Sequence, residues 1–251
     1  MRITSGADLG TVLGIWAHPD DETYLSSGLM AQAIAAGSRV MCVTATKGEG
    51  GSLDPVRWPP EKLGEIRAAE LSRCLALLGV TEHVFLDLPD VDWHTPLPDS
   101  GAGAVFDLMR EVQPDSVLTF GPDGMTNHEG HKSVCTWTTD AFRRHAPVGS
   151  SLYYSVVSRT WAEQFVPQLD AVGVYRDGSE PPIVDDAELD IDIVLSDEQL
   201  DRKMAAIREH QSQIEGLLQV FGEDLLSEAL ASETFRLAER ARPATTLESS
   251  S

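Results

Sequence analysis

The chain has 251 residues, 42% of them hydrophobic, which suits one large α/β domain with a packed core. Its formal charge of −21 works against binding phosphate backbones or anionic membrane surfaces, because both contacts rest on lysine and arginine. Three scattered cysteines make no disulfide framework, no apolar run approaches the length of a membrane span, and no basic stretch leads into an apolar one at the N-terminus; a cytoplasmic protein is expected.

The apolar run Val12 to Trp16 reads as a buried strand, and a helical pattern follows from about Thr23 to Ala36. Between them stands Ala17-His18-Pro19-Asp20-Asp21-Glu22, a strand-to-helix turn of the kind where open α/β sheets place ligands. Neutral imidazole and carboxylate oxygen are ordinary metal ligands, and a spare carboxylate can serve as a base. The same three acids also suit the first turn of a helix, one as a cap and the others favoured by the helix dipole.

Arg39 to Thr46 reads as a second strand, ending in Thr46-Lys47-Gly48-Glu49-Gly50-Gly51. This glycine-rich turn lacks the Gly-Lys-Ser/Thr ending of a phosphate-binding loop and is read as a flexible rim. Pro60 to Gly79 has proline near its start, glycine at its end and apolar residues at helical spacing. His83 to Leu88 is a third strand, followed by an acidic loop carrying Asp87, Asp90 and Asp92; then come a helix over Ala102 to Val112 and a fourth strand over Ser116 to Phe120. This alternation predicts a mainly parallel sheet covered on both faces.

The fourth strand runs towards Asn127-His128-Glu129-Gly130-His131 and a helix reaching about Arg144. Two histidines three residues apart at a helix start project to one side. If strands one and four are neighbours, His18, Asp21, His128 and His131 meet in one crevice.

Beyond residue 150 the pattern predicts a strand over Ser151 to Val157, an alternating strand over Leu189 to Ile193, and one helix from Asp197 to Gln219 capped by Ser196. Residues 177–201 hold ten acids and no lysine or arginine, a solvated acidic segment, and residues 162–186 are read as a rim or lid. A single domain over 1–240 with a disordered tail over 241–251 is expected. Cys135 is assigned to the core, His83, His94 and His145 to ordinary positions, and His210 to a structural hydrogen bond. Trp58, Trp93 and Trp137 suit either a sugar-binding face or the core.

Ala17-His18-Pro19-Asp20-Asp21-Glu22 together with His128-x-x-His131 resembles the PIG-L or LmbE-like family of zinc-dependent N-acetylglucosaminyl deacetylases. The resemblance extends to Thr46-Lys47-Gly48-Glu49-Gly50, Glu65-x-Arg67-x-x-Glu70, Leu88-Pro89-Asp90 and Lys203-x-x-Ala206-x-x-x-His210-x-Ser212-Gln213. It implies a Rossmann-like three-layer α/β sandwich with a mainly parallel sheet, extended by C-terminal strands and a helix. It implies that His18, Asp21 and His131 bind Zn²⁺, with Fe²⁺ the alternative, and that Asp20 is the general base. His128 then stabilises the oxyanion or protonates the leaving amine, Arg67 holds the sugar, and Asp90 orients His128 on the substrate side.

The implied function is removal of an N-acetyl or N-acyl group from an N-acetylglucosamine-type conjugate by a zinc-activated water. The implied partner is that small-molecule amino sugar or N-acyl substrate, without nucleic acid or membrane insertion; a homo-oligomer is left open. The alternatives are an amidase for a non-sugar or thiol-conjugate amide, and a non-catalytic metal-dependent carbohydrate-binding protein. One departure stands out: the family usually writes Gly-His-Pro-Asp-His where this chain has Asn127-His128-Glu129-Gly130-His131, and Thr126 stands where some relatives have tyrosine.

Overall fold

The computed structural model describes residues 2–171, 173–175 and 178–243. Its parallel strands are Val12–Trp16 (β1), Val40–Thr46 (β2), Glu82–Leu88 (β3), Ser116–Phe120 (β4) and Ser151–Ser155 (β5). They lie in the order β3-β2-β1-β4-β5, with Val12 opposite both Val40 and Ser116. β1, β2 and β4 are buried at every residue, as strands covered on both faces require.

The connecting helices are Asp21–Ala35 (α1), Pro60–Leu78 (α2), Ser100–Val112 (α3), the short turn Gly124–Asn127 (α4) and Glu129–His145 (α5). From β1 the chain winds outward to β3 and then returns to β4 on the other side of β1. Right-handed crossovers therefore set α1 and α2 on one face and α3 and α5 on the other. α1 packs on α2, and α3 on α5. The reversal between β1 and β4 opens a crevice at their carboxyl ends, where both histidine-bearing turns emerge.

The second half comprises Val157–Ser158 (β6), Arg159–Ala171 (α6), Ile183–Val184 (β7), Ile191–Val194 (β8), Asp197–Glu209 (α7), Gln211–Ala229 (α8) and Ser232–Arg240 (β9). β9 inserts antiparallel between β5 and β8, completing a seven-stranded sheet, while β6 and β7 pair separately. Three features differ from the sequence reading. The single helix expected from Asp197 to Gln219 is two helices, broken at His210, whose ψ of 53° is not helical. α8 then runs on to Ala229 across a kink at Gly222 (φ 70°, ψ 166°), and the first part of the expected rim belongs to α6. β9 was not read from its residues, because Glu233 and Glu239 stand on the same face as Phe235 and Leu237 and interrupt its apolar alternation.

The ten-acid segment begins at Asp177, outside the described residues; within it, Asp185 pairs with Arg159 and Asp192 with Arg2. Of the expected tail, Ala241 exchanges backbone hydrogen bonds with Gly149 and Ser150, and residues 244–251 lie outside the described residues. Among the described residues, no helix is long and apolar enough to cross a membrane.

β9 also anchors α1. The Glu233 carboxylate accepts from the Gly28 and Leu29 N–H groups at 2.8 Å each and pairs with Lys203 Nζ at 2.7 Å, both side chains being 0% exposed. Lys203→Met leaves that carboxylate buried without its cation, so unfolding by denaturant should show a loss of about 3–5 kcal/mol. A loss below about 1 kcal/mol, the size expected of an exposed pair, would contradict this anchoring.

Candidate metal centre

The turn after β1 folds back on itself. Asp20 adopts φ 119°, a left-handed conformation that non-glycine residues rarely take, and Asp21 opens α1. From that position Asp21 Oδ2 accepts the His18 N–H at 2.8 Å. On the β4 side, Met125 (φ 61°) and Asn127 (φ 64°) are also left-handed. Strained backbone thus flanks the crevice from both strands, as it does where a fold fixes side chains for function.

The hydrogen-bond partners assign the tautomers. His131 Nδ1 donates to the Gly124 carbonyl at 2.9 Å, which leaves Nε2 with its lone pair turned towards His18 and Asp21. His128 caps α5, its Nδ1 accepting the Gly130 N–H at 3.0 Å, so the neutral ring carries its proton on Nε2. Phe120 stacks on His131 with centroids 4.0 Å apart and fixes the ring plane.

Three donor side chains then converge. His131 Nε2 lies 3.2 Å from His18 Nδ1 and 3.4 Å from Asp21 Oδ1, and His18 Nδ1 lies 3.6 Å from Asp21 Oδ2. Ligands about 2.0–2.2 Å from a common tetrahedral centre stand about 3.3–3.6 Å from one another, so the observed separations fit a divalent cation without rearrangement. Two imidazole nitrogens facing each other at 3.2 Å need a proton or a cation between them.

The electrostatics agree with that requirement. Burial opposes charge on His18, but the Asp21 and Asp90 carboxylates, 3.6 and 3.5 Å away, outweigh it and push the ring up to about 9. Burial likewise opposes charge on Asp21, yet His131 and His18 hold its carboxyl well below the usual range. Burial lowers His131 to about 4 and, helped by the other two rings, His128 to about 2. His128 is therefore neutral at physiological pH.

The Asp20 carboxylate meets Arg67, whose guanidinium stands 3.3 Å from Oδ2. Burial pushes the Asp20 carboxyl up to about 6 against the opposing pull of Arg67. The guanidinium of Arg67, expected to hold the sugar, is 4% exposed and donates to the Pro19 carbonyl at 2.7 Å and the Gly48 carbonyl at 2.9 Å. Gly48 is required twice over: its φ is 67°, and a Cβ there would lie 2.2 Å from the guanidinium.

Asp90 was expected to orient His128. Its Oδ1 stands 3.5 Å from His18 Nε2 and its Oδ2 accepts the Gly50 N–H, so the contacts it makes address His18 and the rim loop. Trp93 packs on His128 with centroids 4.5 Å apart, and its carbonyl accepts the Glu129 N–H. Trp137 and Cys135 are buried in the core, Trp58 lies under Arg57, and His83 bonds Thr44 away from the centre. The Gly130 departure has a steric consequence. A Cβ there would meet His128 Nδ1 at 3.2 Å and His18 Cε1 at 3.5 Å, so the usual aspartate would press on the His128 ring while touching His18 at ordinary contact distance.

The family described as PIG-L, GlcNAc-PI de-N-acetylase, matches residues 13–142. A 1D-myo-inositol 2-acetamido-2-deoxy-alpha-D-glucopyranoside deacetylase of Acidothermus cellulolyticus is 30% identical over 233 residues, covering 81% of this chain and 80% of that protein. The protein of the same name from Saccharomonospora viridis is 32% identical over 237 residues, covering 81% and 85%. Among solved structures, the N,N'-diacetylchitobiose deacetylase of Pyrococcus horikoshii superposes with TM-score 0.64 at 22% identity, covering 95% of this chain and 88% of that one, which shows the shared fold. With more than half of the sequence under the family match and relatives at this identity over most of its length, the chain belongs to the PIG-L family of deacetylases.

Proposed function

We propose that this protein is a zinc-dependent N-deacetylase acting on an N-acetylglucosamine-type conjugate. His18, Asp21 and His131 hold the metal, Asp20 is the general base, and His128 donates to the oxyanion. The observation that carries the reading is the three-donor cluster with a further carboxylate, Asp20, next to Asp21 in the same turn and aimed at a different partner. A binding protein needs the cluster alone; hydrolysis needs the extra carboxylate as well.

An amide is a weak electrophile and water a weak nucleophile at neutral pH. Bound to this donor set, Zn²⁺ supplies Lewis acidity and lowers the pKa of a water ligand from about 15.7 towards about 7. Fe²⁺ fits the same donors; zinc is preferred because hydrolysis asks for no redox change. Asp20, raised to about 6 and still largely ionised at neutral pH, takes the proton of the attacking water. His128, neutral and protonated on Nε2, offers a hydrogen bond to the oxygen as negative charge develops on it. Cleavage of the C–N bond needs a proton on nitrogen, and Asp20 then carries one. The products are acetate and a free amine.

The substrate class draws support from the two relatives, whose names place their own activity on an N-acetylglucosaminyl inositol. Trp93 lies tilted against His128 with ring centroids 4.5 Å apart, placing beside that residue an aromatic side chain of the kind that packs on sugars. The charge of −21 favours a neutral substrate over an anionic one. Amine release should be measured across an N-acetylglucosaminyl inositol, free N-acetylglucosamine, N,N'-diacetylchitobiose and an N-acetyl amino acid. Turnover is expected on the sugar conjugates, and an N-acetyl amino acid cleaved faster than every sugar would overturn the reading.

A further inference from the structure

The segment His210-x-Ser212-Gln213 is almost two hundred residues from the His18 turn in sequence, yet its polar side chains reach the layer directly behind Asp20. His210 occupies the break between α7 and α8 and is 1% exposed. Its Nε2 lies 3.0 Å from Thr23 Oγ1 and 3.6 Å from Glu22 Oε1. Ser212 donates from its N–H and its Oγ to the two oxygens of Glu70, at 2.9 and 2.7 Å. Glu70 and Arg67 lie one turn apart on α2, so the start of α8 is pinned to the helix whose guanidinium meets Asp20.

Glu22 is the link between this junction and the base. It is 0% exposed, and its Oε2 accepts the backbone N–H of Asp20 at 3.1 Å, the residue held at φ 119°. Such a conformation persists only where its surroundings fix it. Glu22 Oε1 is engaged on the other side by Thr23, His210 and Cys74, which stops the carboxylate from rotating away.

Glu22, Cys74 and His210 place their donor atoms within 4.8 Å of one another, an arrangement that invites a second cation. Thr23 Oγ1 fills the middle, bonded to Glu22, to Cys74 Sγ at 2.9 Å and to His210. Burial pushes the Cys74 thiol well above its ordinary value, so it stays protonated and is a poor ligand. Thr23 Oγ1 thus ties the three side chains into one hydrogen-bonded cluster.

We propose that His210 is a positioning residue for Asp20, acting through Glu22 to hold the left-handed backbone that aims the base. The proposal rests on the assignment of Asp20 as the base. Without the imidazole, Glu22 Oε1 keeps only Thr23 and Cys74 and Thr23 Oγ1 itself loses its His210 partner, so the acceptor of the Asp20 N–H is held less firmly and the carboxylate shifts from its aligned place. A misplacement of about 1 Å costs up to about 10²-fold in rate.

The test uses the metal-loaded full chain with an N-acetylglucosaminyl substrate. His210→Leu should lower kcat by about 10- to 100-fold with KM and metal content unchanged. His210→Gln, which keeps an N–H donor near the Nε2 position, should recover most of that loss. In a double-mutant cycle, His210→Leu should slow an Asp20→Asn enzyme by less than about twofold, because the group it positions is already disabled. Equal slowing in both backgrounds, a His210→Gln enzyme as slow as His210→Leu, or a His210→Leu enzyme within about twofold of wild type would each overturn the proposal. Should His210→Leu not fold, Glu22→Gln asks the same question by setting an amide N–H against either Asp20 or His210. Wild-type kcat in that variant would also overturn the proposal. A fully active Asp20→Asn enzyme is a different failure: it removes Asp20 as base, and His210 then has no base to position.

Discussion

Replacing Asp20 with asparagine should lower kcat by about 10²- to 10⁴-fold, the contribution of a well-placed general base, while the bound metal stays. The substitution changes one atom and keeps the side-chain shape. His18, Asp21 and His131 converge on one point without help from Asp20, so metal content should equal that of the wild type. Arg67 loses a charge partner but keeps its bonds to the Pro19 and Gly48 carbonyls, which limits any local collapse. Steady-state rates with metal analysis of the same preparation check both halves. Unchanged turnover at full metal content would exclude Asp20 as the base.

The second large effect is expected at the donor atoms themselves. His131→Ala removes the nitrogen that stands 3.2 Å from His18 Nδ1 and 3.4 Å from Asp21 Oδ1, leaving a histidine and a carboxylate. Loss of an outer partner alone typically weakens metal binding by about 10- to 100-fold, so loss of a ligand should exceed that and take activity with it. His83→Ala is the matched control, since that imidazole bonds Thr44 on β2 and touches none of the three donors. Metal titration of the three proteins decides the matter. Wild-type affinity in His131→Ala would mean that the cluster is not the binding site.

Much of this architecture could be read from the residues. His18 to Glu22 follows a five-residue apolar strand, and His128 and His131 follow another; the alternation of strand and helix implied a parallel sheet. Pairing of β1 with β4 then brings both turns to one crevice. What escaped the reading depended on partners distant in sequence. Arg67 was singled out through the resemblance, but its bonds to Pro19 and Gly48 and its contact with Asp20 show only once those residues close around it. Glu22 resembles an ordinary acid in a helix's first turn, and only the packing of α2 and the α7–α8 junction shows it fully buried. The break at His210 carries no proline or glycine; a buried imidazole and the Ser212–Glu70 bonds set it. β9 alternates only imperfectly, with Phe235 buried between charged residues, so periodicity alone misses it.

The most direct test of the account is amine release from an N-acetylglucosaminyl inositol by one preparation, assayed as purified, after chelation, and after zinc is restored. Release that disappears on chelation and returns with zinc, tracking metal content near one ion per chain, is the expected result. Release that persists at full rate in metal-free protein would contradict the assignment of His18, Asp21 and His131 as the centre on which hydrolysis depends.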